Sequence, residues 1–130
     1  MNAHRWMLLL LLFLAAACDD DEPVACTEEF RTATVFVADA NAEPVTDATV
    51  RTYHVRTGEL VPVTSIIDLV SGYYVILDDN ATRLIPSGVE QFRVTASRGE
   101  GAATEAFYGF SAPQGCHIEK VSGPDTLVVP

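Results

Sequence analysis

Hydrophobic and polar positions divide this chain of 130 residues into three regimes. Met7–Ala17 is an unbroken apolar run that ends in Ala15-Ala16-Ala17 against Cys18. Asp19-Asp20-Asp21-Glu22 then sets four carboxylates in succession, and from residue 26 onward short apolar and polar positions alternate. An apolar run of this length is about half of what a helix needs to cross a bilayer. The acidic run cannot pack into a core, and its charges repel one another, so it reads as an extended, solvated tether. Alternation with a period of two is the mark of a strand with one buried face.

That alternation predicts strands over Phe30–Ala38, Ala48–Val55, Leu60–Thr64, Gly72–Leu77, Gln91–Ser97, Thr104–Phe110, Cys116–Val121 and Thr126–Val129. Gln91–Ser97 is the cleanest, with Phe92, Val94 and Ala96 set against Gln91, Arg93, Thr95 and Ser97. In the second strand Ala48, Val50 and Thr52 point one way and Thr49, Arg51 and Tyr53 the other, while Tyr74 and Ile76 share a face of the fourth. Pro62 removes a ladder donor, which demotes Leu60–Thr64 to an edge or a bulge. Ser65–Ser71 is ambiguous between a strand end and one helical turn. Asp39–Pro44 and Asp78-Asp79-Asn80 supply turn chemistry. Seven or eight short strands with no helical period point to an all-β chain, a single antiparallel β-sandwich over residues 26–130.

The N-terminus resembles a bacterial lipoprotein signal. His4 and Arg5 open it, the apolar run follows, and small residues lead to the cysteine. The resemblance implies a signal over residues 1–17, cleavage before Cys18, a lipid on the Cys18 thiol and a tether over residues 18–25. The lipobox usually carries Leu three residues before the cysteine; here Ala15 stands there, with Leu14 one position further back. The competing assignment is an ordinary secretory signal cut near Ala15–Ala17. Multiple acyl chains anchor stably, at about 0.8 kcal/mol per buried methylene. An acidic run directly after the lipidated cysteine also resembles surface-export signals of Bacteroidetes-type lipoproteins, whereas in enterobacteria Asp there marks inner-membrane retention. The expected address is therefore the outer membrane, surface-exposed, with inner-membrane retention as the alternative.

Without the signal, seven basic side chains stand against eighteen acidic ones, a formal charge of −11. No cluster of Lys and Arg is left to meet phosphates, which argues against nucleic acid as a partner. Trp6, the one Trp, leaves with the signal, so sugar stacking would fall to Tyr and Phe. With Cys18 assigned to lipid, Cys26 and Cys116 remain as the pair for an oxidising compartment. The alternative is two reduced, separately placed thiols. Neither has the C-x-x-C spacing of a redox or metal site.

Within the strand region, Val35-Phe-Val-Ala-Asp39 followed by Glu43-Pro44-Val45-x-x-Ala48-x-Val50 is similar to the opening of carboxypeptidase regulatory-like domains, relatives of the transthyretin-like and collagen-adhesin B-type sandwiches. Gly72-Tyr73-Tyr74 and Phe92-Arg93-Val94-Thr95-Ala96 match that family's Gly-x-Tyr and aromatic-x-Val-x-Ala strands. Cys116-His117 with Thr126-Leu-Val-Val129 resembles the ending of its lipoprotein members. The chain departs after Ser97, where Arg98-Gly99-Glu100-Gly101 gives a glycine-rich hairpin. These motifs are structural, so the resemblance implies a fold and leaves function open.

Transthyretin-like hydrolases end in Tyr-Arg-Gly-Ser; this chain ends Leu127-Val-Val-Pro130, and its Tyr108-Gly109-Phe110-Ser111 lacks the Arg. No nucleophile elbow or phosphate loop is present. The expectation is a non-enzymatic binding or structural module with no catalytic residues, no cofactor and no metal. Its candidate surface is Tyr53, Tyr73, Phe107, Tyr108 and Phe110, facing an envelope protein or a glycan. His54, on the Val50 face, reads as a satisfied, half-buried histidine. His117 reads as a donor to a nearby carbonyl, and Asp78-Asp79-Asn80 as a solvated turn rather than a Ca²⁺ site. The alternative is a small transthyretin-like hydrolase or metal-dependent enzyme, which needs His54, His117 and an Arg or carboxylate in one cleft.

Overall fold

The computed structural model describes residues 24–64 and 70–130. The expected signal, Cys18, the acidic run and residues 65–69 of the ambiguous stretch lie outside the described residues. Eight strands form two sheets: β1 (Thr32–Ala38), β2 (Ala48–His54), β3 (Leu60–Val61), β4 (Tyr73–Asp78), β5 (Val89–Arg98), β6 (Thr104–Ser111), β7 (Glu119–Ser122) and β8 (Thr126–Val128). One sheet has the order β4-β1-β8 and the other β3-β2-β5-β6-β7. All pairings are antiparallel except β1 with β8, which run parallel. The all-β expectation holds, with that parallel pair as its departure from a purely antiparallel arrangement.

The strands form where β-branched and aromatic residues suit a pleated surface, and their alternation decides which face is buried. Phe92, Val94 and Ala96 of β5 point inward with Tyr108 and Phe110 of β6. They share one buried cluster with Val35 and Val37 of β1, Ile76 and Leu77 of β4, and Leu127 of β8. The two sheets are also joined by a hydrogen bond from Thr52 Oγ1 to the Ile76 carbonyl, 2.6 Å. Pro62 acts as expected: β3 stops at Val61 and lies on the edge of its sheet.

The β1–β2 connection is built from the opening motif. Asp39 Oδ1 accepts from the N–H groups of Asn41 and Glu43, at 2.8 and 3.0 Å, closing the turn that precedes Pro44. Tyr74 then ties this connection to β4: its hydroxyl donates to the Val45 carbonyl and accepts from the Ala48 N–H. Gly72 stands where that region meets Phe36. A Cβ there would lie 2.6 Å from Phe36 Cε2 and 2.7 Å from Pro44 Cβ, at a φ of +85°. Gly72→Ala is therefore expected to destabilise the domain by about 1–3 kcal/mol through overpacking and backbone strain, read as a lower urea midpoint.

Two segments differ from the sequence expectation. After β4 the chain enters a 3-10 helix over Asp79–Leu84 rather than a simple turn, capped by the Asp78 carboxylate, which accepts from the Asn80 N–H. The strand expected from Cys116 begins at Glu119 instead. A short 3-10 turn, Pro113–Gly115, precedes Cys116, and Cys116 and His117 are held by contacts outside the ladder.

Candidate functional site

Cys26 and Cys116 form a disulfide across a sequence separation of 90 residues. Beside it, His117 joins three chain segments. Its Nδ1 lies 2.7 Å from Asp79 Oδ2 and its Nε2 lies 2.8 Å from Thr27 Oγ1. Asp79 also accepts from the main-chain N–H of Arg31 and of Ile118, each at 2.8 Å. Burial raises the Asp79 carboxyl pKa, but hydrogen bonds from Arg31, His117 and Ile118, with the nearby His117 charge, outweigh it and leave it below its ordinary 3.8. The bridge and this network clamp the N-terminal segment to the approach of β7.

These contacts correct two expectations. His117 partners a carboxylate and a hydroxyl, not a carbonyl. Asp78 and Asp79 are not a solvated turn, because main-chain donors draw them inward: Asp78 is 2% exposed, and Thr64 N–H also reaches its carboxylate. Since the Asp79 pKa is depressed in the fold, its stabilisation is present above the unfolded value of 3.8 and is lost as pH falls through the folded one. Thermal melts from about pH 5 down to pH 2 should show the parent losing stability below about pH 4. Asp79→Asn should lose less over the same range.

His54 is buried on β2, not half-buried. Its Nε2 lies 3.1 Å from Glu90 Oε2 and its Nδ1 lies 3.3 Å from Thr57 Oγ1. Arg56 closes over the same Glu90 carboxylate, so the buried acid is met by an imidazole and a guanidinium. Among the described residues His54 and His117 share no partner, and β6 stands between the β5 that carries Glu90 and the β7 that follows His117. The single cleft that the hydrolase alternative needs is therefore not assembled from these two histidines. Among the described residues, no three His, Cys, Asp or Glu side chains form a group suited to a metal.

The five candidate aromatics separate by strand parity. Tyr108 and Phe110 are fully buried and leave the candidate surface. Burial, with Asp125 nearby, pushes the Tyr108 hydroxyl up to about 12, and that hydroxyl has no hydrogen-bond partner among the described residues. Tyr73 is exposed, but on β4 of the smaller sheet, where its ring lies 5.1 Å from that of Phe36. Tyr53 and Phe107 remain on the outer face of the five-stranded sheet.

There the register sets Leu60, Tyr53, Arg93 and Phe107 directly opposite one another on β3, β2, β5 and β6. The row crosses the strands with steps of about 4.8 Å. Leu60 and Phe107 are 56% and 54% exposed at its two ends. Between them the Arg93 guanidinium lies over the Tyr53 ring, 4.9 Å from its centre, and pairs with Glu105 at 3.5 Å. Exposed Arg51 sits in the next row, opposite Thr95. Arg93 and Leu60 were not among the expected site residues. The signal for them was parity: Arg93 lies between inward Phe92 and Val94, and so must face out with Tyr53.

Comparison with known proteins found no match to the chain among family models, curated proteins or solved structures.

Proposed function

We propose that this chain is a lipid-anchored cell-envelope protein whose β-sandwich, of the carboxypeptidase regulatory-like type, binds a ligand or partner rather than turning over a substrate. The observation that carries this reading is the cysteine pairing. Cys26 and Cys116 are joined, so of the chain's three cysteines only Cys18, at the end of the apolar run, stands outside the bridge. A disulfide suits an oxidising compartment, and a leftover cysteine after a signal-like run suits lipid attachment.

The tether fixes the geometry of display. Eight residue steps separate Cys18 from Cys26, a reach of at most about 30 Å. Cys26 precedes β1, so the domain end carrying the disulfide and the His117 clamp lies closest to the lipid. The outer face of the five-stranded sheet then stands to the side, open to lateral partners. The acidic run after Cys18 favours display on the outer membrane surface.

Protease treatment of intact cells expressing the full chain tests this placement. Loss of the membrane-associated domain is the expected result. Survival on intact cells, with digestion only after lysis, would overturn surface display and turn the face toward the periplasm.

A further inference from the structure

We propose that the outer face of the five-stranded sheet is the interface of a two-fold dimer, its partner a second copy of this chain in the same membrane. The inference rests on the reading of this domain as an anchored binding module and names what its open face binds.

This face is charge-balanced on an acidic molecule. The outward positions of β2, β5, β6 and β7 set two guanidinium groups, Arg51 and Arg93, against two carboxylates, Glu105 and Glu119. Among these charges stand exposed Leu60, Val55, Val89 and Phe107. Two copies of a strongly acidic chain repel each other least where charge is balanced and apolar surface is left to bury.

Register makes the pattern complementary to itself. β5 is the middle strand of the sheet, with β2 on one side and β6 on the other. Arg51, Thr95 and Glu105 form one row across these three strands, and Tyr53, Arg93 and Phe107 form the next. A half-turn about an axis along β5 exchanges β2 with β6. Two copies stacked face to face about that axis therefore set Arg51 against Glu105 and Tyr53 against Phe107, each contact made twice. In the following row Val55, whose N–H donates to the Gln91 carbonyl, lies over Gly109, which has no side chain to oppose it. Glu105 meets Arg93 through Oε2, which leaves Oε1 for Arg51 of the other copy. The two Arg93 side chains that face each other across the axis are each held by the Tyr53 ring and the Glu105 carboxylate of their own copy, so their charge is already answered. The strands of the two copies run aligned, the arrangement in which sheets commonly stack.

Anchorage selects the same axis. Two copies held in one membrane surface can share a two-fold only if it runs perpendicular to that surface. On the proposed anchoring, the disulfide end lies closest to the lipid. β5 begins at that end, because Val89 pairs with Ser111, shortly before Cys116. β5 therefore runs away from the membrane, along the permitted axis, and shared anchorage raises the local concentration of the partner.

Cysteine cross-linking of the full-length chain, oxidised in isolated membranes, tests the interface. Thr95 lies at the axis and Cys26 and Cys116 are already paired, so Thr95→Cys should give a disulfide-linked dimer on a non-reducing gel. The parent, and Tyr73→Cys at an exposed position of the smaller sheet, should give little or none. Adding Arg51→Glu to Thr95→Cys should cut the dimer about fivefold, and adding Glu105→Arg as well should restore most of it, because the charges are exchanged rather than lost. Melting curves close to the parent's check that each variant folds. No dimer from Thr95→Cys, or as much from Tyr73→Cys, would overturn the inference. A Thr95→Cys dimer indifferent to Arg51→Glu would overturn the two-fold pairing, as would failure of the exchange to restore it. A chain recovered in the soluble fraction would overturn the anchored reading and the membrane's part in the dimer, while the same cross-links read in solution still decide the face.

Discussion

Reducing the Cys26–Cys116 bridge, or replacing Cys116 by Ser, is expected to cost the domain about 4–5 kcal/mol. The bridge spans 90 residues, and closing a loop of that size in the unfolded chain removes conformational entropy of this magnitude. Domains of this size are stable by about 5–15 kcal/mol, so the loss is a large share of the whole. The Thr27–His117–Asp79 contacts do not pass through the bridge, so reduction is expected to lower stability without opening the native ladder. Urea titration with and without reductant measures the effect. A midpoint that does not move on verified reduction would remove the bridge from the account of stability.

Phe92→Ala is expected to cost about 3–5 kcal/mol. Phe92 is fully buried on the inner face of β5, its ring 5.3 Å from that of His54 and 5.8 Å, edge-on, from that of Phe110. Truncation leaves a cavity between two sheets and exposes the His54–Glu90 pair to a poorly packed neighbour. The adjacent position provides the contrast: Arg93→Ala removes a side chain from the outer face and should shift stability by only about 0.5 kcal/mol. The two variants, measured by chemical denaturation, test the alternation directly. Equal effects at positions 92 and 93 would contradict the assigned faces.

Alternation made β5 legible, and Pro62 made the edge position of β3 legible, because each acts through the residue's own geometry. The bounds of β7 were not legible. Cys116 and His117 look like the start of a strand, and only the tertiary partners Cys26, Thr27 and Asp79 take them out of the ladder. Asp78 and Asp79 read as solvent-seeking for the same reason: distant main-chain donors draw them inward, Thr64 for Asp78 and Arg31 with Ile118 for Asp79. Two of the five candidate aromatics, Tyr108 and Phe110, were misplaced for a different reason. Phe107 and Tyr108 are neighbours in one strand and cannot share a face, so parity already separated them. What parity lacked was the register, which sets Tyr53, Arg93 and Phe107 opposite one another across three strands.

On the proposed reading, Cys18 carries the lipid that holds this domain at the envelope. Intact mass measurement of the full chain extracted from membranes tests it most directly. The expected species is a polypeptide that begins at Cys18 with a diacylglycerol on its thiol, and with Cys26 and Cys116 oxidised. A chain that begins elsewhere, or one with an unmodified Cys18 recovered in the soluble fraction, would contradict it.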